Sequence, residues 1–342
     1  MMNNKNVYAS VVIPVYNRAD LLEKCLIALS QQKTSFSHEV IVVDDCSVED
    51  LSNVRYNFEK GDLKITWLRL PENSGPAVAR NAGIKVAEGE IIVFTDSDCV
   101  PIDSWLQKML VPFSDAAVSG VKGSYKTTQT DTWARLSQVE FEERFDLLDA
   151  ASSVDFVDTY SGAFRKKHLI ETGGFDTSFP KADNEDVELS FRIKALAGNS
   201  GGKFVFVRDA VVFHRHREGF WNYFRLKFNR GYWRSKVYEK HPKMAGKESY
   251  TPATLKIQFL LIVLLPFLFV LPIKKRNSSA VIFSLWLASC HNMFFNAYNK
   301  NNQDLIPAIP FFTAARAIAI LSGMLYSFLS SVNHVLPVKI KC

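Results

Sequence analysis

The chain has 342 residues and a net charge of +6, so it is long enough for more than one domain. Five scattered cysteines (Cys25, Cys46, Cys99, Cys290, Cys342), odd in number and without C-x-x-C spacing, argue against a disulfide framework or a zinc site and fit a reducing compartment. The opening MMNNKNVYAS has no apolar core of the signal-peptide kind, so the polar part is expected to stay in the cytosol.

Tyr8 to Val15 is an apolar, β-branched run near Pro14 and Asn17, which predicts a buried strand. Asp20 to Ser30 sets Leu21, Leu22, Cys25, Leu26 and Leu29 at helical spacing. Glu39 to Val43 reads as a second strand, closed by Asp44-Asp45-Cys46-Ser47, and Ser47 with Asp50 reads as a helix start. Ile65 to Leu70 is a third strand. Asn73-Ser74-Gly75-Pro76 opens a helix through Val86, and Ile91 to Thr95 is a fourth strand. This alternation predicts a parallel, right-handed α/β sheet flanked by helices. Further on, Ala117 to Tyr125 reads as a strand and Asp131 to Leu148 as a helix. Phe156 to Phe164 contains the small residues Ser161-Gly162-Ala163, Gly173 to Asp176 is a turn, and Glu185-Asp186 leads a helix. Phe204 to Phe213 is the last strand, followed by His214-Arg215-His216-Arg217.

Chemistry-bearing residues collect at strand ends and helix starts. Asp96 and Asp98 follow the fourth strand, and ligands of open α/β sheets bind at that edge. Two carboxylates so close repel unless a cation lies between them, and oxygen ligands suit Mg²⁺ or Mn²⁺, which would neutralise a diphosphate. Transfer from a nucleotide donor needs a carboxylate for the base, a metal for the diphosphate leaving group and a carboxylate for the acceptor's proton. An imidazole, His214 or His216, can complete the metal sphere. Each piece has a plainer reading. Asp44-Asp45 can be a turn with an N-cap, Glu185-Asp186 a helix-dipole complement, and His214 a satisfied strand-end histidine. Tyr16 can be core and Arg80 a surface charge.

Taken together, the motifs resemble those of the family 2 glycosyltransferases with their GT-A, Rossmann-like fold. Val11 to Arg18 (VVIPVYNR) is similar to the family's opening strand and nucleotide loop, and Asp44 to Ser47 to its D-D-x-S. Asn73-Ser74-Gly75 through Ala79-Arg80-Asn81-Ala82-Gly83 is similar to N-x-G…A-R-N-x-G, Thr95 to Asp98 to the D-x-D, and Gly173 to Asp176 to G-G-F-D. Glu185 to Leu189, with Arg192, is similar to E-D-x-x-L-x-x-R. The match spans roughly residues 7 to 217. It implies an inverting sugar transfer with a divalent metal, Mg²⁺ or Mn²⁺. By the same resemblance Pro14, Tyr16, Asp45, Arg80 and Asp96 would bind the nucleotide sugar, Asp98 and His214 the metal, and Asp186 would be the general base. Gly162 and Glu185 would lie on the acceptor side. A nucleotidyltransferase is the alternative enzyme, but Pro14-Val15-Tyr16-Asn17 is not a glycine-rich phosphate loop. A non-catalytic membrane-bound binding domain is the other alternative, against which Asp98 and Asp186 stand intact.

The expected domains are a catalytic domain over 1–220, a basic amphipathic juxtamembrane segment over 221–256 and membrane helices over 257–342. Arg225, Lys227, Arg230, Arg234, Lys236, Lys240, Lys243 and Lys247 precede the apolar part, a placement that favours an anionic cytoplasmic leaflet. A solvated face is the plainer reading, and no nucleic-acid partner is expected. Ile257 to Ile273, Ala280 to Ala297 and Leu305 to Val332 are apolar, and a span needs about 20 residues. The positive-inside bias favours an interfacial first stretch kinked at Pro266 and two spans, keeping Lys274-Lys275-Arg276, Lys339 and Lys341 inside. Three spans is the alternative. Arg316 would be the one charge within a span, snorkelling or touching a lipid phosphate. The family resemblance and the apolar end together imply a cytoplasmic-membrane protein with its catalytic domain in the cytosol. The implied partners are a nucleotide-sugar donor, a lipid-linked saccharide or cell-surface glycan acceptor, and membrane lipids. Cys342 is then expected to be shielded from an impermeant thiol reagent in intact cells.

Overall fold

The computed structural model describes residues 7–61, 63–179, 183–197, 202–245, 250–270 and 275–332. The chain forms two compact units, Met1–Thr128 with Leu148–Arg215 and Gln129–Leu147 with His216–Cys342.

The first unit is built on one sheet. Its described strands are β1 (Ala9–Val15), β2 (His38–Asp44), β3 (Ile65–Arg69), β4 (Ile91–Phe94), β5 (Cys99–Pro101), β6 (Val118–Lys126), β7 (Gly162–Arg165) and β8 (Lys203–His214). Their order is β3-β2-β1-β4-β7-β6-β8-β5. The first four strands pair in parallel, as expected. Beyond β4 the sheet is mixed: β7 runs against both β4 and β6, β5 runs against β8, and β6 and β8 are parallel. β1, β2 and β4 are almost wholly buried, which is why their sequences are near-continuous Val and Ile rather than alternating. The helices are α1 (Ala19–Ser30), α2 (Ser52–Glu59), α3 (Pro76–Val86), α4 (Trp105–Leu110), α6 (Lys166–Glu171) and α7 (Glu185–Ala197); α5 (Thr132–Asp149) falls mostly in the other unit. α3 lies hard on β1, since a Cβ at Gly83 would come within 2.4 Å of Val12 Cγ1. Within the stretch Phe156 to Phe164, the small residues Gly162 and Ala163 begin β7, which pairs with β4 and β6. The parallel pairing brings Val15, Asp44 and Phe94 to one edge, and the loops after them carry the candidate site.

The second unit is helical: α5, α8 (Phe220–Lys240), α9 (Ala253–Val270), α10 (Lys275–Ser289), α11 (His291–Asn299) and α12 (Ile309–Val332). Leu136, Val139, Tyr223, Met293, Ile309 and Phe312 form its apolar core. Beside them lies a buried ionic cluster. Glu140 is fully buried, and Lys227 Nζ (2.7 Å), Arg144 Nη2 (2.5 Å) and the Tyr223 hydroxyl (2.9 Å) all donate to it. Burial alone would raise the Glu140 carboxyl, but the charges of Lys227, Arg144 and Arg316 hold it far below the usual range. Arg316 neither snorkels nor reaches a lipid headgroup. It is fully buried, donates to Gln258 (2.9 Å) and stands 3.8 Å from both Glu140 and Glu143.

Among the described residues, Gln303–Ser331 is the helix long and apolar enough to cross a membrane. The second expected span is broken, α10 and α11 meeting at 47°. The expectations on Pro266, Lys274-Lys275-Arg276, Lys339, Lys341 and Cys342 fall outside the residues whose side chains are described.

α8 and α12 cross on glycine. A Cβ on Gly231 would lie 2.2 Å from the Ile320 carbonyl oxygen, and one on Gly323 2.0 Å from that of Phe228. Backbone cannot yield there as a side chain could. Gly231→Ala is therefore expected to cost about 1–3 kcal/mol, read as a lowered thermal midpoint. Gly61→Ala, whose nearest neighbour would be 3.6 Å away, should change little.

Candidate active site

The loops after β1 and β2 clasp each other. Asn17, Arg18 and Cys46 adopt φ of 60°, 66° and 60°, a region non-glycine residues enter at a cost and one often found at functional sites. Side chains hold them there. Asn17 N donates to Ser47 Oγ (2.7 Å), and Asn17 Oδ1 accepts from the backbone of Val48 and Glu49 (3.0 and 3.1 Å). Ser47 N donates to Asp44 Oδ1 (2.8 Å), and Arg69 pairs with the other Asp44 oxygen. Ser47 is thus a loop clamp rather than a helix start; α2 begins at Ser52, whose backbone N–H is bound by Asp50. Pro14 is half-buried at the end of β1, and Tyr16 is exposed just beyond it. Asp45 is buried and wrapped by the Asn73–Gly75 loop. The backbone N–H groups of Ser74 and Gly75 donate to its two oxygens (2.8 Å each), and Asn73 Nδ2 donates to Oδ2 at 3.1 Å.

Arg80 is the hinge between the D-x-D and the E-D helix. It is 1% exposed, donates to Asp96 Oδ1 (2.8 Å) through Nη2 and to Glu185 Oε1 (2.7 Å) through Nη1, and lies over the Phe175 ring. It is not the surface charge that its plainer reading allowed. Its neighbours hold the backbone around it. Asn81 exchanges two 2.8 Å hydrogen bonds with the Phe175 backbone, and a Cβ on Gly174 (φ 75°) would collide with that amide at 2.4 Å. Arg192 donates to the carbonyls of Thr172 (2.5 Å) and Gly174 (2.7 Å) while Glu188 accepts from it. Asn81, Gly174, Glu188 and Arg192 therefore position elements; none of them reaches into the edge.

Asp98 and His214 come together across the sheet order, because β5 pairs with β8 and sets Cys99 opposite His214. His214 Nε2 is 3.9 Å from Asp98 Oδ1, and Arg18 Nη1 donates to Asp98 Oδ2 at 2.5 Å. Asp98, His214 and Cys99 each offer a ligand atom within 4.8 Å of the others. Burial, then the charges of Asp96 and Asp98, push the Cys99 thiol well up, so it stays protonated. The Tyr160 ring lies 4.5 Å from that of His214. His216 belongs to the second unit, where it hydrogen-bonds Gln138 (2.9 Å) and stacks on Phe141.

Asp186 is half-buried at the start of α7. Burial first, then the Asp158 charge, raise its carboxyl against the pull of Arg80 and Lys122. Glu185 is raised as well, by burial and by Asp186. Its tie to Arg80 occupies it within the protein. Gly162 serves the backbone: a Cβ there would meet the Asp158 carbonyl oxygen at 2.5 Å. Sequence reasoning missed Lys122 and Asp158, which pair at 2.5 Å beside Asp186, because 36 residues separate them and neither stands in a motif.

Residues 10–173 match the family model Glycosyl transferase family 2, and the chain carries a domain of that family. It is 27% identical over 211 residues to Glycosyltransferase AglE of Haloferax volcanii, covering 61% of this chain and 67% of that protein. It is 38% identical over 110 residues to the putative teichuronic acid biosynthesis glycosyltransferase TuaG of Bacillus subtilis, covering 32% of this chain and 41% of that protein. Among the curated relatives it matches, the chain spans from 25% to 67% of the relative's length. The mannosyltransferase PcManGT of Pyrobaculum calidifontis, solved with GDP-Man and Mn²⁺, shares the fold with a TM-score of 0.62 at 18% identity, over 95% of this chain and 88% of that one.

Removing Arg80 leaves two carboxylates without their cation. Arg80→Met is expected to cost about 3–5 kcal/mol in chemical denaturation. Arg80→Lys should recover only part of it, since an ammonium lacks the fork that reaches both Asp96 and Glu185.

Proposed function

We propose that the chain is an inverting glycosyltransferase that moves a sugar from a nucleotide-diphosphate donor to a hydroxyl acceptor at the carboxyl edge of its sheet. The observation that carries this reading is the pairing of a metal-type donor set, Asp98 with His214, with a half-buried, pKa-raised Asp186, both tied to Arg80's neighbourhood. One carboxylate oxygen and one imidazole nitrogen suit Mn²⁺, and also Mg²⁺, with the remaining positions left to water and diphosphate oxygens. The residues fit such an ion. Asp98 and His214 would hold it, and the protonated Cys99 would not compete. The bound ion supplies the positive charge that a departing nucleotide diphosphate needs.

The residues divide the rest of the work. Pro14, Tyr16 and Asp45 line the nucleotide loop, with Asp45 shaping it through the Asn73–Gly75 backbone. Arg80 fixes Asp96 at the donor end and opposes the rise that burial gives its carboxyl. Arg18 puts a second cation beside Asp98. Asp186 accepts the proton of the acceptor hydroxyl as the acceptor oxygen bonds to the anomeric carbon and the bond to the diphosphate breaks. A single base on one side of the sugar gives one displacement and hence inversion. The relatives' printed names, TuaG's teichuronic acid biosynthesis among them, support a cell-surface glycan or lipid-linked saccharide as acceptor. The basic α8 and apolar α12 support attachment to the cytoplasmic membrane with the catalytic unit in the cytosol.

EDTA should abolish nucleotide diphosphate release from a donor panel, and Asp98→Ala should do the same while weakening metal-dependent nucleotide binding; transfer untouched by EDTA would overturn the metal role. Asp186→Asn should lower kcat by roughly 10²–10⁴ with little change in donor affinity. Turnover should fall with decreasing pH as Asp186 takes up its proton, with an acid limb above that of an ordinary aspartate. Asp158→Asn removes a charge that raises Asp186, so it should move that limb to lower pH.

A further inference from the structure

Gln303–Ser331, which contains most of α12, is long and apolar enough to cross a membrane, but its packing argues against crossing a bilayer. α8 runs parallel beside it. Tyr223 meets Phe312 (ring centroids 4.5 Å apart), Gly231 meets Ile320, Tyr232 meets Tyr326 (6.0 Å), and Lys236 Nζ donates to Ser331 (2.5 Å). The two residue numbers climb together, so whatever depth α12 occupies, α8 shares. Yet α8 carries six basic residues and one acidic in 21. Arg and Lys are costly at a bilayer centre. Arg316, in the first half of α12, is matched to acids of α5 rather than to lipid.

From Phe311 to Leu329 the exposed residues of α12 are all apolar. Phe311, Ile318, Leu325, Phe328 and Leu329 are each 41–64% exposed. Their spacing of i, i+7, i+14, i+17 and i+18 puts them on one side of the helix, a stripe roughly 27 Å long. Trp221, 71% exposed, extends it through Phe220, whose ring stacks on Phe311 at 5.8 Å.

We infer that α12 and α8 lie in the plane of a membrane surface, with the α12 stripe at the acyl boundary of an anionic bilayer and the exposed basic residues of α8, Arg225 and Lys240 among them, at its headgroups. Such a helix sits about 5–10 Å deep and draws on both apolar area and charge. The strongly basic α8 beside the stripe favours an anionic lipid surface over a second copy, which would set like charges against each other. This inference stands independently of the catalytic reading.

The test uses the full-length protein. Gln303→Cys and Ser331→Cys mark the two ends of the helix. In right-side-out and inside-out vesicles from expressing cells, an impermeant maleimide should add its extra tag at both positions in the same vesicle orientation. Labelling in opposite orientations would mean a span and overturn the inference. Purified protein should also float with phosphatidylcholine–phosphatidylglycerol vesicles, less so at high salt. Combining Phe311→Glu, Leu325→Glu and Phe328→Glu should weaken that binding by more than about tenfold at an unchanged thermal midpoint. Unaltered flotation, or a wild type that ignores vesicles and sediments as a dimer that the same triple variant splits, would also overturn it.

Discussion

The first unit depends on one buried cation. Arg80 is closed off from solvent, and the carboxylates it touches come from two different structural eras of the fold: Asp96 from the parallel half and Glu185 from the helix after the mixed half. Desolvating a guanidinium is costly unless its donors are met, so the pair of carboxylates must be present for the edge to close. The reverse also holds. Asp96, Asp98, Asp158, Glu185 and Asp186 crowd one edge, and Arg80, Lys122 and Arg18 do not match them in number. Burial plus this excess explains why Glu185 and Asp186 hold protons more tightly than ordinary carboxyls. A site with surplus negative charge is suited to a divalent ion, and its raised carboxyls are what the proposed general base needs.

Much of this was legible because parallel strands announce themselves as unbroken Val and Ile runs, and because parallel strands deliver their loops to one edge. The carboxylates of the D-x-D and of the E-D pair could be named from the chain alone. What each residue touches could not. Arg80 has the look of an exposed helix charge, since nothing local tells that Glu185, 105 residues on, will cover it. Ser47 and Asp50 have helix-start spacing, but the left-handed Asn17 claims Ser47 first. The choice between His214 and His216 was open by spacing. It turns on β5, a three-residue strand too short to leave a periodic signal, which pairs Cys99 with His214.

The helical unit shows the same limit more sharply. In sequence α5 is a charged, aromatic helix, and the stretch around Arg316 reads as membrane. Read together in space they explain each other. Glu140 and Glu143 of α5 are the reason an arginine can sit inside an apolar helix, and Lys227 of α8 completes the match. A buried network of this kind adds little net stability over apolar packing, but a displaced partner is strongly penalised. It therefore selects one alignment of α5, α8 and α12 among the many that apolar surfaces alone would tolerate.

The long reach of Arg80 also has a consequence for synthesis. The guanidinium and Asn81 leave the ribosome with Asp96 close behind, but their partners at Phe175 and Glu185 are 94 and 105 residues away. At about 5–20 residues per second that gap lasts roughly 5–20 s. Over that interval the Val- and Ile-rich strands are already out, while the cation that will seal their edge still faces water. The contacts that seal the edge through Arg80 therefore wait for α7, and they are among the last of this unit that can form.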